Sequence, residues 1–211
     1  MTEHIKPFVV AEGGSGVGKT TTIMSLREQK EFEDWAFFRD PGGTDFGNAM
    51  REAVQQHKEW EIDPIASMLG YSASRANLIN TRVIPIIEGV IPAKGVFLDR
   101  YWFTTYTYQG GGEGIDREII MAVSKIATKG LMPDLVLHYD LLPELAMQRK
   151  SGCNDVDRYD MKELDFHRRA RDAYLELSHM FPDFWRVIDA SQSKEKVLTD
   201  SLATLKEFGM I

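Results

Sequence analysis

Apolar and polar positions fall into two alternating patterns along this chain. Five short apolar runs, at residues 8–11, 36–38, 95–98, 135–139 and 185–188, are each closed by polar or glycine punctuation and predict buried strands. Longer stretches between them carry apolar residues at helical spacing, as in Ile23 and Leu26, and again in Phe166, Ala170, Tyr174, Leu177 and Phe181. This alternation predicts an α/β fold, a five-stranded parallel sheet with helices on both faces, because parallel neighbours can be joined only by long crossovers. No internal repeat, low-complexity tract or linker divides the sequence, so residues 1–211 are expected to form a single domain. The glycine cluster Gly110, Gly111, Gly112 and Gly114 and the polar stretch 150–157 are expected to be mobile loops able to close over a ligand.

Composition narrows the classes of function. With 43% hydrophobic and 27% charged residues, the 211-residue chain can bury a sizeable core. Its 32 acidic against 25 basic residues give a formal net charge of -7, which argues against a bulk nucleic-acid binder. An anionic ligand must then be captured by local chemistry. Cys153 is the only cysteine, which excludes an intramolecular disulfide and a cysteine-rich zinc site and leads to the expectation of a reducing cytoplasm. The apolar run at residues 7–11 is too short for a signal peptide or a membrane span, so no membrane partner is expected. The five histidines show no metal spacing.

The strongest chemical signal follows the first predicted strand. Gly13, Gly14, Ser15, Gly16, Val17, Gly18, Lys19 and Thr20 fit the pattern GxxxxGK[ST], between a predicted strand and a predicted helix, which is the signature of a P-loop. Glycines let successive backbone N–H groups turn toward one centre, and the helix N-terminus adds partial positive charge, so a polyphosphate is favoured. Lys19 is expected to neutralise the β and γ phosphates. Thr20 offers a hydroxyl to Mg2+, and Asp99, at the end of the third predicted strand, can hold the ion or its water. No NKxD guanine-reading element is present, and the chain has no room for the extra domains of most motors. A small-molecule kinase needs arginines converging from several loops, and Arg39, Arg51, Arg75, Arg100, Arg149 and Arg158 all lie near strand ends or loops.

From about residue 8 to about residue 205 the chain resembles the thymidylate kinase family. The marks are Glu12-Gly13, Arg39-Asp40-Pro41-Gly42-Gly43-Thr44, Tyr71-Ser72-Ala73-Ser74-Arg75, Asp99-Arg100-Tyr101, Tyr108-Gln109-Gly110-Gly111, Pro133-Asp134-Leu135 and Asp157-Arg158-Tyr159. The resemblance implies a P-loop NTPase fold with a flexible lid at about residues 149–160, transfer of the ATP γ-phosphoryl group to dTMP, and a homodimer formed through helices flanking the acceptor site. It places the donor phosphates on residues 13–20 with Thr21. It places the acceptor on Asp40, Arg51, Tyr71, Arg75, Arg100, Thr104, Thr105, Tyr108, Gln109 and Tyr159.

Residue chemistry agrees with a thymine base. A guanidinium at Arg75 can donate to O4 of thymine but meets the amino group of cytosine donor against donor. The Gln109 amide can accept from N3–H and donate to a carbonyl. Tyr71 reads either as a stacking platform or as core, and Arg39 either as a site residue or as a surface one. Arg51 and Arg100 suit the acceptor phosphate. That phosphate is already anionic and needs no general base.

Within the family, members lacking a cation inside the P-loop place basic residues in the lid. Ser15, Gly16 and Val17 carry no charge, so the resemblance assigns the catalytic cation to Arg149 or Arg158, beside Lys19 and Arg100. Ser15 stands where family members usually carry an acid, and Asp40 where glutamate is more usual. These departures keep a modified deoxypyrimidine monophosphate, such as 5-hydroxymethyl-dUMP, as an alternative acceptor. A non-catalytic P-loop binding module is the alternative from another class.

Overall fold

The computed structural model describes residues 5–57, 59–151 and 157–211. Strand β1 (Phe8–Glu12) leads through the glycine-rich loop into helix α1 (Lys19–Arg27). Strand β2 (Ala36–Arg39) precedes α2 (Asp45–Arg51), which continues as a π-helical turn over Glu52–Gln56. Helix α3 (Pro64–Leu78) starts at Asp63, whose carboxylate accepts from the Ile65 and Ala66 N–H groups, and runs through a second π turn (Ile79–Val83) into α4 (Ile84–Ile87). Then come β3 (Val96–Asp99), α5 (Trp102–Thr105) with a third π segment at Tyr106–Gly112, and α6 (Arg117–Thr128). The chain closes with β4 (Leu135–Asp140), α7 (Pro143–Lys150), α8 (Leu164–Met180), β5 (Trp185–Asp189) and α9 (Lys194–Glu207).

Among the described residues the sheet has five strands, all parallel, in the order β2-β3-β1-β4-β5. Residues of β1 alternate between two cores. Phe8 and Val10 join the layer with α3, α5 and α8, whereas Val9 and Ala11 join the layer with α1 and α9, all fully buried. Coverage of both faces is what makes the strands read as unbroken apolar runs. The crossover from β1 runs past β3 to the edge strand β2, and the crossover from β3 runs past β1 to β4, so the two connections run in opposite senses and open a crevice at the carboxyl ends of the strands.

The five expected strands are all present, but each ends one residue later than its apolar run. The extra residues are Glu12, Arg39, Asp99, Asp140 and Asp189. Hydropathy marks where the apolar run stops, while backbone pairing carries on through one further charged residue, fully buried at Glu12 and lining the cleft at Arg39.

Three glycines of the expected loop, Gly110 to Gly112, are helical, while Gly114 lies exposed beyond the end of that segment. Gly110 and Gly112 lie buried in the π segment that packs along α8. A Cβ on Gly112 would fall 2.2 Å from the Phe166 ring, so glycine is there to let two helices touch. Arg169 fixes the contact by donating to the Gly111 and Gly112 carbonyls at 3.2 and 2.7 Å. It therefore has a backbone partner rather than the acidic one its place on a polar helix face suggests. In the polar stretch, Lys150 is the last residue of α7, and residues 152–156, including the Cys153 thiol, lie outside the described residues.

Candidate functional site

The glycine-rich loop turns between β1 and α1 against two neighbouring elements. Gly16 has φ +77°, and a Cβ on it would sit 2.3 Å from the Ala146 carbonyl oxygen, so the loop touches the backbone of α7 directly. No side chain caps the start of α1, and Gly18 stands there in the left-handed region. The first-turn N–H groups are left to face the cleft, which is the arrangement that receives phosphate.

Lys19 is 5% exposed and lies 3.6 Å from Asp99. Burial and the adjacent Arg100 cation push its ammonium down to about 8. Burial works against the Asp99 charge, but Lys19, Arg100 and Arg39 outweigh it and hold its carboxyl below the ordinary range. Asp99 Oδ1 is buried and makes no hydrogen bond.

Arg100 adopts φ +70°, an unfavourable backbone state for a side chain, and this turns its guanidinium back toward the loop. Its Nη1 donates to the Gly13 carbonyl at 3.0 Å and the Thr104 hydroxyl at 3.2 Å. The support beneath is Glu12, fully buried, which accepts from Tyr101 N–H at 2.8 Å, Thr104 Oγ1 at 2.7 Å and Tyr174 OH at 2.9 Å. Sequence reasoning treated Glu12 only as a family mark. The available signal was a lone carboxylate closing a strand of four apolar residues.

Arg39 and Arg51 face the same space as Arg100 and Lys19. Burial, then Arg39 and Arg100, push the Arg51 guanidinium down. Cations that press on one another in this way are electrostatically poised for an anion.

At the far end of a cleft of about 800 Å³, Arg75 is 2% exposed. Its Nε meets Asp40 Oδ2 at 2.5 Å and its Nη2 donates to Thr105 Oγ1 at 3.0 Å. Arg75 Nη1 and Asp40 Oδ1 are buried without hydrogen-bond partners. An unsatisfied guanidinium donor beside an unsatisfied carboxylate oxygen costs free energy unless a ligand completes both. Asp40 does not reach into the cleft alone; it aims Arg75. Tyr71, Tyr108, Gln109 and Tyr159 line the same end, and Gln109 Nε2 donates to the Tyr159 hydroxyl at 2.9 Å.

Ser15, Gly16, Val17, Gly18, Thr20, Thr21, Thr104 and Arg149 also line the cleft. Arg149 and Lys150 belong to the last turn of α7, and Arg149 Nη1 donates to the Ala190 carbonyl at 2.9 Å. Lys150 donates to Ser15 Oγ at 2.9 Å and pairs closely with Asp160. Arg158 is not brought to the cleft: its Nη1 donates to the Val54 carbonyl at 3.2 Å. The expected lid is described only at residues 149–151 and 157–160. Lining residues that sequence reasoning missed include Gln55, Asp160, Gln192 and Lys194.

Among the described residues no group of three or more His, Cys, Asp or Glu side chains could hold a metal ion, and no helix is long and apolar enough to cross a membrane.

Residues 11–200 match the family model described as thymidylate kinase. A protein of Thermoanaerobacter sp. (strain X514) named thymidylate kinase is 36% identical over 203 residues, covering 95% of this chain and 98% of the relative. One of the same name from Caldanaerobacter subterraneus subsp. tengcongensis is 38% identical over 187 residues, covering 88% of each chain. A crystal structure of thymidylate kinase from Ehrlichia chaffeensis shares the fold, with a TM-score of 0.75 at 24% identity over 95% of this chain and 98% of that one.

Proposed function

The chain belongs to the thymidylate kinase family and phosphorylates dTMP, and from that premise we propose how the cleft works, with ATP as donor, Mg2+ as its counter-ion and one domain carrying both nucleotides. The observation that carries the reading is the pair of unsatisfied atoms at the acceptor end, Arg75 Nη1 and Asp40 Oδ1. Asp40 and Thr105 hold the guanidinium, so one N–H direction is left for a base acceptor such as O4 of thymine. Cytosine would leave that buried donor facing an amino group. Gln109, tied to Tyr159, completes the edge, and Tyr71 supplies a ring face.

Transfer then needs positioning and charge. Arg51, Arg100, Thr104 and Thr105 orient the acceptor phosphate, whose oxygen is already anionic and attacks without a general base. Loop N–H groups and Lys19 hold the donor phosphates and stabilise charge as it develops between them. The residues present fit a magnesium ion: Thr20 offers a hydroxyl, and Asp99 offers an ionised Oδ1 that makes no hydrogen bond and faces the Lys19 ammonium at 3.6 Å. When bound, such an ion would neutralise phosphate charge. Arg149 is the lid-side cation the cleft supports best, since it lines the donor end while Arg158 faces Val54.

Two further assignments rest on the same reading. Exposed apolar side chains on two neighbouring helices, Ile65 and Leu69 of α3 and Ile119 and Ile126 of α6, support a homodimer, which light scattering on the purified protein tests. A cytoplasmic setting accords with the single cysteine.

Turnover on a panel of dTMP, dUMP, dCMP and 5-hydroxymethyl-dUMP with ATP and Mg2+ tests the acceptor. The expected result is highest kcat/KM with dTMP. Preference for the hydroxymethyl base or for dCMP would overturn the assignment of the base pocket.

A further inference from the structure

A second cavity, of about 280 Å³, adjoins the cleft on the other side of the glycine-rich loop. It lies between the end of β4, α7 and α8, and Ser15, Tyr108, Lys150 and Asp160 form its shared wall with the cleft. The proposed transfer draws on the shared wall but on none of the β4, α7 and α8 residues that enclose the rest of it. Four polar atoms on its lining are buried and make no hydrogen bond: Tyr108 OH, His138 Nδ1, Asp160 Oδ1 and His167 Nε2. His138 is 1% exposed and stacks on Tyr174 with ring centroids 4.9 Å apart. Unsatisfied groups of this kind are rare in a folded interior, and four on one small cavity call for an occupant.

The chemistry of the lining defines what fits. Both charged pairs at the walls are closed: Arg171 donates twice to Asp140 at 2.8 Å, and Lys150 pairs with Asp160. Burial keeps the imidazoles neutral, with His138 pushed down to about 4 and His167 also lowered. The His167 ring donates to the Lys162 backbone, which leaves Nε2 as a lone-pair acceptor. Asp160 Oδ1 is a second acceptor, and the Tyr108 hydroxyl can serve either way. Apolar surface from Leu141, Ala146 and Ala170 supplies the rest. An anion finds no open cation here, whereas a flat, uncharged ring system bearing N–H donors meets acceptors on two sides.

We propose that this cavity is a second ligand site, for a neutral N–H-bearing heteroaromatic molecule the size of a nucleobase or nucleoside, and that its occupant slows phosphoryl transfer through the glycine-rich loop. The link is steric. Gly16 already lies in backbone contact with Ala146, and Ala146 and Met147 form the α7 wall of the cavity. A ligand that displaces α7 therefore moves the loop that holds the donor phosphates.

The test uses the whole protein saturated with ADP and dTMP, so that the cleft is filled. Adenine, cytosine, adenosine and deoxycytidine are the probes, with N6,N6-dimethyladenine as a ring of similar shape lacking the exocyclic donors. At least one probe is expected to bind the saturated protein by equilibrium dialysis and to lower kcat without competing with ATP or dTMP. Loss of the exocyclic donors should weaken binding about tenfold. Ala170→Leu, which fills the cavity from α8, should abolish binding while keeping basal turnover, and His167→Ala should weaken binding about tenfold and serves if Ala170→Leu fails to fold. Absence of binding to the saturated protein, or binding untouched by both substitutions, overturns the site. Binding with kcat unchanged overturns its link to the loop.

Discussion

The donor and acceptor ends of the cleft are built on opposite principles. At the proposed donor end, the lining comes from consecutive residues, 14–21, with backbone N–H groups that any turn of this shape would present. At the proposed acceptor end, Asp40 comes from the turn after β2, Tyr71 and Arg75 from α3, Gln109 from the π segment, and Tyr159 from the end of the expected lid. Two of those side chains are held by others: Arg75 by Asp40 and Thr105, and Gln109 by Tyr159. A contiguous backbone site can lose a side chain without losing its shape, while an assembled pocket ties recognition to the stability of the fold.

The largest expected break in that comparison is Lys19→Ala. It should lower kcat about 10³-fold, since the ammonium acts on charge that develops during transfer. Stability should hardly move, with Tm within about 3 °C of wild type, because folding already disfavours this buried cation. Steady-state kinetics with circular dichroism melts provide the check, and retention of more than about a tenth of kcat would contradict the role.

Arg75→Ala should do the reverse. It strands the Asp40 carboxylate in a buried site, at a cost of about 3 to 5 kcal/mol, so Tm should drop by about 10 °C. Its kcat/KM for dTMP should fall about 10²-fold and its loss on dCMP should be much smaller. Equal losses on the two substrates would make Arg75 a structural residue only.

A smaller effect separates the two lid arginines. Arg149→Ala should lower kcat by about tenfold or more with little change in ATP affinity, since it removes an interaction made mainly during transfer. Arg158→Ala should stay within about threefold of wild type, because its guanidinium is directed to the Val54 carbonyl. Single-turnover rates and ATP titrations on both variants decide the assignment.

The mildest change is in pH. With the Lys19 ammonium near 8 in the free protein, kcat/KM for ATP should fall about tenfold between pH 7 and pH 9, because deprotonation removes the charge that attracts phosphate. Bound phosphate favours the protonated form, so kcat at saturating ATP should stay flat over the same range. A parallel fall in kcat would place the titrating group elsewhere.

Much of this was legible in the sequence because the relevant physics is local. The glycine-rich loop needs only its own residues, and the five strands announce themselves as apolar runs. The errors arose where meaning depends on a partner distant in sequence. Gly110 and Gly112 read as loop residues, yet Phe166, 54 residues beyond Gly112, explains why glycine is required in a buried helix. Arg158 shares a motif with Tyr159, but the backbone turn sends one to Val54 and the other to Gln109.

By itself the sequence determined the strand–helix alternation, the phosphate-binding loop and the family of the chain, because those follow from periodicity, short-range spacing and an ordered set of motifs. Tertiary structure alone decided that Glu12 supports the segment from Arg100 to Thr104, that Asp40 aims Arg75, and that a second cavity with unsatisfied imidazoles lies behind the loop. The physical reason is that hydrogen bonding and burial are properties of pairs. A side chain's partner across the sheet is fixed by how helices close over it, and no residue carries that information in its own type.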